Sequence, residues 1–286
     1  MKIWINGKLV DKKSAKVSVF DHGLLYGDGV FEGIRVYGGK VFQAAAHIDR
    51  LYESARCIRL SIPYTKQELT DGIYETLAAS TMKDPYIRLV VTRGEGGLGL
   101  NPFLCPTPTV FIIAGPIALY PPEMYRDGMA VIIAQTLRTS ARMLSPAVKS
   151  LNYLNNIMAK IEALDAGVAE AIMLNDAGQV AECTGDNIFI VKDGKVITPP
   201  PSAGMLVGIT RGVVIDCAGQ LGLTVLQQDM SPQDVLAADE CFLTGTAAEV
   251  IAVTKVDDRT IGNGKVGPIT TRLFEAFRQY VASGKW

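Results

Sequence analysis

One lysine in the sequence stands where an amphipathic helix does not normally place one. Lys149 lies just ahead of the apolar periodic run in AVKSLNYLNNIMAKIEALDAG, whereas Lys160 follows the usual pattern of a helical lysine. A lysine that is partly removed from water loses its proton more readily, and the neutral amine can condense with an aldehyde. Lys149 is therefore the candidate nucleophile of a covalent site.

Pyridoxal phosphate is the commonest aldehyde partner of such a lysine, and its phosphate needs a cradle. The segment GMLVGITRG offers one, because Gly208 leads into a predicted helix whose first N–H groups and Thr210 hydroxyl suit an anion. A second turn, TGTAAE, could add Thr246. Taken alone, Thr210 is better explained as a helix N-cap and TGT as an ordinary turn.

The same cofactor needs a carboxylate at its pyridine nitrogen and a donor to its phenolate oxygen. Glu182 stands between two apolar strands in QVAECTGDNIF, and a protonated ring nitrogen would be a partner for a buried acid. Tyr153, four residues after Lys149, could donate to the phenolate. The alternatives are an exposed acid at a strand end for Glu182 and a core tyrosine with a satisfied hydroxyl for Tyr153.

Composition limits the class of protein. The 286 residues are 48% hydrophobic and 20% charged with a formal net charge of -1, which is typical of a globular chain of one large or two modest domains. Because lysines and arginines are scattered among acidic residues, the sequence predicts a small-molecule substrate, no nucleic acid and no membrane partner. The N-terminal MKIWINGKLV reads as a strand hairpin rather than a signal peptide, and no apolar run could span a bilayer, so we expect a cytoplasmic protein.

The cysteines and histidines exclude several chemistries. Five cysteines without a CxxC pair predict reduced core residues, at positions Cys57, Cys105, Cys183, Cys217 and Cys241. His22 and His47 are the only histidines, and neither belongs to an HExxH or CxxC pattern, so we expect no metal. His22 reads as a turn residue, and no GxSxG motif is present for a serine hydrolase. The run RGEGGLGLNP lacks both the P-loop ending and the GxGxxG frame, which favours a hairpin or lid over a nucleotide-binding loop.

Hydrophobic periodicity predicts an α+β chain in two parts. A compact unit of strands and two helices is expected over residues 1–118, a proline-rich linker over 119–125 and a larger domain over 126–286. The larger domain is expected to contain many strands joined by hairpin-type turns and therefore a largely antiparallel sheet. Its predicted helices lie near 151–166, 210–221 and 268–282.

Several segments together resemble one known family. In chain order they are YGDGVFEGIRVY, HIDRL, YIRLVVTRGEGGLGLNP, VKSLNYLNN, AECTGDNIFIVKDG, GITR and TGTAAE. This set is similar to the class IV aminotransferases of fold type IV, and specifically to the branched-chain amino acid aminotransferases, from the first strand to the last helix. The resemblance implies a small N-terminal α/β sandwich domain and a larger C-terminal domain with a barrel-like, largely antiparallel sheet and flanking helices.

The resemblance also implies an activity and a set of cofactor contacts. The activity is reversible, ping-pong transamination of L-leucine, L-isoleucine and L-valine with 2-oxoglutarate, a reaction of branched-chain amino acid biosynthesis. Lys149 would hold pyridoxal 5'-phosphate as an aldimine and shuttle the proton between Cα and the cofactor. Glu182 would pair with the ring nitrogen, Tyr153 with the phenolic oxygen, and the phosphate would be bound by Arg50, Ile209, Thr210 and Thr246.

A second implied set binds the substrate. The turn at Thr246-Ala247 would hold the α-carboxylate, and Arg88 would bind the γ-carboxylate of glutamate. The side-chain pocket would be lined by Tyr26, Phe31, Tyr86, Arg88, Tyr120 and Tyr153. Tyr26 and the loop around Leu100 would come from a neighbouring subunit, which implies at least a homodimer. The alternative for Arg88 is a rim residue on a half-solvated sheet.

Three other interpretations remain open from the sequence. A D-amino acid aminotransferase has the same fold, but FEGIR, YIR with Arg88 and NYL with Tyr153 favour the branched-chain substrate. A 4-amino-4-deoxychorismate lyase would use the same lysine without needing an aliphatic pocket. A cofactor-free α+β binding module would make Lys149, Glu182 and Arg50 ordinary ion-pairing residues.

Overall fold

The computed structural model describes residues 1–117 and 120–286, which form two compact units. The first unit comprises Met1–Ile117, Val148–Asn152 and Trp286, and the second comprises 120–147 and Tyr153–Lys285. Residues 118 and 119, at which the sequence predicted the end of the small domain and the start of the linker, lie outside the described residues. Residues 148–152, which the sequence assigned to the larger domain, belong to the first unit.

The first unit is built on a five-stranded antiparallel sheet in the order β2-β1-β7-β6-β3. Its seven strands, which include a separate β4-β5 pair, are β1 (Lys2–Ile5), β2 (Lys8–Asp11), β3 (Gly29–Ile34), β4 (Val36–Tyr37), β5 (Lys40–Val41), β6 (Tyr86–Thr92) and β7 (Thr109–Gly115). Asn6 and Gly7 join β1 to β2 with positive φ angles of 47° and 83°, as a two-residue hairpin requires.

Two long helices pack against this sheet, and a short helix precedes β3. They are α1 (His22–Tyr26), α2 (Ala44–Cys57) and α3 (Lys66–Ala78). The capping box of Thr65 and Glu68 starts α3, and the apolar positions of α2 and α3 pack with the sheet into one core cluster around Leu51, Leu69 and Ile112. The two predicted helices and the strands of this region are therefore present.

The second unit contains a curled nine-stranded sheet with flanking helices. The strand order is β10-β9-β8-β15-β14-β11-β12-β13, with β16 beside β15, and five of the eight pairings are antiparallel. The strands are β8 (Met129–Ile133), β9 (Glu170–Leu174), β10 (Val180–Cys183), β11 (Asn187–Lys192), β12 (Lys195–Thr198), β13 (Val225–Gln227), β14 (Glu240–Gly245), β15 (Glu249–Val256) and β16 (Arg259–Thr260). The helices are α4 (Pro122–Asp127), α5 (Leu154–Asp165), α6 (Ile209–Gln220), α7 (Pro232–Leu236) and α8 (Pro268–Ser283). The predicted fold class is confirmed.

Two details differ from the sequence predictions. Helix α5 begins at Leu154 rather than near residue 151, because Leu151 donates its N–H to the Gly29 carbonyl and thereby continues an extended segment. All five cysteines are free thiols, but Cys57 is exposed at the end of α2, where its thiol lies 3.8 Å from Glu53 Oε1, and Cys105 is half-buried. Only Cys183, Cys217 and Cys241 are core residues. In the described parts of the chain, no helix has both the length and the apolar character needed to cross a bilayer.

Candidate active site

The backbone of Lys149 is fixed along the edge of the first unit's sheet. Its carbonyl accepts the N–H of Phe31 at 3.0 Å, its own N–H donates to Ser54 Oγ at 3.1 Å, and an antiparallel bridge joins Val30 to Ser150. The half-buried side chain places its Nζ 4.8 Å from the centroid of the Phe31 ring. The predicted nucleophile therefore lies on an extended segment beside β3, with an aromatic face under its amine.

The predicted pocket residues Phe31, Tyr86 and Arg88 lie together with Lys149. Strands β3 and β6 are antiparallel neighbours, and the Arg88 guanidinium carbon lies 4.6 Å from the Phe31 ring centroid and 5.6 Å from that of Tyr86. A Cβ atom on Gly33 would meet the Tyr86 hydroxyl oxygen at 1.7 Å, so the tyrosine closes over the strand only because residue 33 is glycine. This face joins two cationic groups to an aromatic wall, which suits substrates with apolar side chains and a carboxylate.

Arg50 is held by a buried carboxylate that the sequence analysis missed. Glu32, on the fully buried strand β3, accepts Arg50 Nε and Nη2 at its two oxygens, both at 2.8 Å, and its Oε2 lies 2.7 Å from His47 Nδ1. Burial raises the pKa of Glu32, but the hydrogen bonds from Arg50 and His47 lower it more, and the pKa falls to about 2. Glu32 is therefore an anion that fixes the Arg50 guanidinium in a bidentate pair.

His47 completes this buried group as a neutral ring. Burial lowers its pKa below the ordinary value of 6.5 against the raising effect of Glu32, and the nearby charges of Arg50 and Lys149 lower it further. Because the Glu32 carboxylate can only accept, Nδ1 of His47 must carry the proton. The signal in the sequence was the spacing of His47 and Arg50, three residues apart and so on one face of α2.

Tyr26 and Leu100 lie at the exposed glycine-rich turn after β6. The Tyr26 hydroxyl donates to the carbonyl oxygen of Leu98, and the side chain of Leu100 is 78% exposed. The structure therefore brings Tyr26 and the loop of Leu100 together within the first unit. Both are at the surface of the isolated chain.

In the second unit, Glu182 is buried on β10 and paired with an arginine. Arg138 Nε donates to Glu182 Oε1 at 2.8 Å, and the N–H of Leu206 donates to Oε2 at 3.0 Å. Arg138 is also tied to Thr139 Oγ1 and Asn155 Oδ1 at 3.2 Å. The alternative of an exposed strand-end acid is therefore wrong. Sequence reasoning missed Arg138, which lies 44 residues earlier in an irregular segment.

The predicted phosphate cradle is the start of α6. Gly208 is the N-cap residue and supplies no side chain to the first turn, Ile209 is half-buried, and Thr210 is 3% exposed. A Cβ atom at residue 208 would lie 2.0 Å from Asn187 Oδ1, so a larger residue there would displace the Asn187 side chain, whose amide donates to the Leu206 carbonyl. No side chain caps the first N–H groups of this twelve-residue helix, which suits an anion.

The remaining candidates of the second unit occupy three places. Thr246 and Ala247 form the turn between β14 and β15, and Tyr153 is the half-buried residue that precedes α5. The Tyr120 hydroxyl lies 3.2 Å from Asp186 Oδ2 and 3.4 Å from Glu170 Oε2. Burial and these two carboxylates raise the pKa of Tyr120 well above its usual range. Its hydroxyl therefore stays protonated and donates to an acid pair that the sequence did not predict.

Comparisons with known proteins identify the family of this chain. The model of the amino-transferase class IV family matches residues 29–256. A relative from Methanocaldococcus jannaschii, provisionally assigned as a branched-chain-amino-acid aminotransferase, is 54% identical over 97% of this chain and 96% of its own length.

Solved structures extend the agreement to the whole fold. The branched-chain amino acid aminotransferase of Escherichia coli superimposes with a TM-score of 0.96 at 35% identity, over 100% of this chain and 97% of that one. The enzyme of the same name from Thermobaculum terrenum, solved with pyridoxal phosphate, gives a TM-score of 0.89 at 30% identity, over 99% of this chain and 94% of that one. The chain therefore belongs to the class IV aminotransferases and, within that family, to the branched-chain amino acid aminotransferases of fold type IV.

Proposed function

We propose that this chain transfers the amino group reversibly between L-leucine, L-isoleucine or L-valine and 2-oxoglutarate, with pyridoxal 5'-phosphate as its resident cofactor. The observation that carries the proposal is the position of Lys149, whose backbone is bonded to β3 and α2 and whose amine stands over Phe31. The binding-module alternative is disfavoured because the aminotransferase family model matches residues 29–256.

The described residues fit the charges of this cofactor. In the first unit, Glu32 orients Arg50 as an anion-binding group, and in the second unit the start of α6 at Gly208 has no side-chain cap and suits an anion. The family resemblance implies that each is a phosphate contact. Glu182 is a buried carboxylate for a protonated ring nitrogen. Bound pyridoxal phosphate supplies an aldehyde for amine exchange and a ring that withdraws electrons from the substrate Cα.

The roles of the protein residues follow from their chemistry. Lys149 would hold the cofactor through its amine and would carry the proton at the substrate Cα. Glu182 keeps the ring nitrogen protonated, while Arg138 and the N–H of Leu206 keep the carboxylate oriented. Thr210, Ile209 and the other predicted phosphate contacts position the cofactor without taking part in proton transfer.

Substrate choice is assigned to the face of β3 and β6. Phe31 and Tyr86 form an apolar wall for an aliphatic side chain, and Arg88 is the cation for the γ-carboxylate of glutamate. Thr246-Ala247 as the α-carboxylate site, and Tyr120 and Tyr153 as pocket or cofactor contacts, remain predictions from the family resemblance. The cytoplasmic location remains a prediction from the sequence pattern.

The proposal includes a homodimer. Helix α5 exposes five large apolar side chains at helical spacing, and such a continuous apolar face is unusual on a monomer. They are Leu154, Ile157, Met158, Ile161 and Leu164. A second copy would cover this face and the exposed loop of Leu100. Sedimentation of the native protein should give twice the chain mass or a multiple of it, and a monomer would contradict this part of the proposal.

The test of the function is the absorption spectrum of the purified protein during half-reactions. L-Leucine without any keto acid should convert the yellow cofactor to its aminated form, and subsequent 2-oxoglutarate should restore the colour. D-Alanine should leave the spectrum unchanged. A response to D-alanine alone would assign a D-amino acid aminotransferase, and a protein that takes up no added pyridoxal phosphate would overturn the proposal.

A further inference from the structure

The glycine loop, residues 94–100, is fixed at its start by a short segment that precedes β3. The N–H of His22 donates to the Gly94 carbonyl at 2.9 Å, and the N–H of Gly96 donates to the Phe20 carbonyl at 3.2 Å. These backbone bonds align the two segments side by side, and an antiparallel bridge joins Asp21 to Glu95. The loop thus begins at an isolated antiparallel bridge.

Beyond Gly96, side chains rather than backbone groups bond to the glycine loop. His22 Nε2 lies 2.7 Å from the Gly97 carbonyl oxygen, and the Tyr26 hydroxyl donates to the next carbonyl, that of Leu98. Because a carbonyl oxygen can only accept, Nε2 of His22 must carry a proton, which both the neutral ring and the cation can provide. Two successive carbonyls of the glycine loop are therefore held by one turn of helix.

The His22 ring is built into its position. It is 1% exposed and stands edge to face with Tyr26, at 5.0 Å between centroids and 87° between planes. Asp21 caps α1 by accepting the Gly23 N–H at 2.7 Å. The other oxygen of the Asp21 carboxylate accepts the Thr92 hydroxyl at 2.8 Å. A Cβ atom on Gly96 would come within 2.9 Å of His22 Nε2, so the loop backbone lies directly on the ring.

The last residues of the glycine loop carry apolar side chains into the solvent. Leu98, whose carbonyl is one of the two that are held, is 71% exposed, and Leu100, two residues later, is 78% exposed. We propose that His22 is a positioning residue that fixes the glycine loop in the shape in which Leu100 contacts the substrate, an inference that rests on the proposed function. The sequence had suggested only a turn residue at position 22.

The test compares His22→Gln and His22→Asn in the holoenzyme. A glutamine amide reaches the place of Nε2, whereas an asparagine amide falls short of it, so the pair differs chiefly in the bond to Gly97. In His22→Asn we expect KM for L-leucine and for 2-oxoglutarate to rise about five- to tenfold, as for one lost hydrogen bond, with kcat within about twofold. In His22→Gln both KM values should stay within about twofold of native.

A second readout follows the loop itself. Hydrogen exchange at the Gly96 amide, whose N–H donates to the Phe20 carbonyl, should accelerate at least about tenfold in His22→Asn and remain near native in His22→Gln and in a control, Val19→Ala, at an exposed neighbouring position. Faster exchange with unchanged KM in His22→Asn would overturn the positioning role, and so would unchanged exchange. A native enzyme inactive with L-leucine would instead refute the proposed function, and the exchange data would still decide whether His22 holds the loop.

Discussion

Glu32 and Glu182 are both buried carboxylates paired with an arginine, but the two pairs differ in how the arginine contacts the carboxylate. In the first unit Glu32 meets Arg50 with both oxygens and is also bonded to His47, so the carboxylate serves to aim the arginine. In the second unit Arg138 reaches only one oxygen of Glu182, and Leu206 takes the other.

This difference shows how a buried pair of glutamate and arginine can orient either the arginine or the carboxylate. A buried pair costs desolvation energy, and its use here is better explained by orientation than by stability. In the proposed function Arg50, held by Glu32, would bind an anion, and Glu182, held by Arg138, would pair with a cation. Phosphate and protonated pyridine nitrogen are the matching partners in the proposed cofactor.

Lys149→Ala is the reference for this comparison, because it removes the nucleophile and leaves both ion pairs intact. We expect kcat for transamination to fall at least about a thousandfold, since both the covalent partner and the proton carrier are lost. Coupled assays with L-leucine and 2-oxoglutarate measure the loss. The matched control is Lys66→Ala, at an exposed lysine of the same unit, which should change kcat less than about twofold. Full activity in Lys149→Ala would contradict the mechanism.

Glu182→Gln tests the second-unit pair. The uncharged amide no longer favours a protonated ring nitrogen, so kcat at saturating cofactor should fall about a hundred- to a thousandfold. Steady-state rates over a range of added pyridoxal phosphate separate kcat from cofactor affinity. Glu123→Gln, at an exposed acid of α4, is the control and should behave as native. A Glu182→Gln enzyme with native kcat would show that this carboxylate does not act on the ring.

Arg88→Met tests whether the cation over Phe31 reads a substrate carboxylate. Losing a charge-assisted pair should lower kcat/KM for 2-oxoglutarate about tenfold to a hundredfold, whereas the half-reaction with L-leucine should change less than about threefold. Stopped-flow measurement of the two half-reactions gives both numbers. Equal losses in the two would favour the alternative that Arg88 is a rim residue.

Glu32→Gln tests the first-unit pair and should act on binding rather than on turnover. The Kd for pyridoxal phosphate should rise about tenfold, and the free energy of unfolding should fall by about 3 kcal/mol, because Arg50 loses its buried counter-ion. The kcat at saturating cofactor should stay within about threefold of native. If Glu32→Gln instead lowered kcat as strongly as Glu182→Gln does, the contrast between the two pairs would be wrong.

The same residue predicts the smallest effect, a dependence of stability on acid. The pKa of Glu32 is about 2 in the fold against an ordinary 4.5, so its contribution is complete above pH 4.5 and disappears as the pH falls towards 2. This difference in pKa amounts to about 3 kcal/mol. The free energy of unfolding, measured with urea between about pH 5 and 3, should therefore fall less steeply in Glu32→Gln than in the native protein. An equally steep fall of the unfolding free energy in both proteins would contradict the low pKa of Glu32.

Much of the fold and half of the site were predictable from local pattern. The helix predicted over 268–282 is Pro268–Ser283, because proline at the first turn and an amphipathic period mark it clearly. Lys149 and Glu182 were identified because a charged residue next to or within an apolar run requires a partner or a function. The start of α5 was missed, since the pairing of Leu151 with Gly29 joins residues that are distant in the chain.

The partners of the site residues could not be predicted. Glu32 meets Arg50 only because α2 packs on β3, and Arg138 meets Glu182 only through the arrangement of the second unit. Tyr120 likewise reaches Asp186 across 66 positions. Such contacts depend on tertiary packing, which periodicity does not encode.

The most direct test of the account is to reduce the native holoenzyme with borohydride, digest it and locate the cofactor by mass spectrometry. We predict one phosphopyridoxyl group on the peptide that contains Lys149, and no label on Lys160. Label on another lysine, or an unlabelled protein that had been saturated with pyridoxal phosphate, would contradict the central claim that Lys149 holds the cofactor.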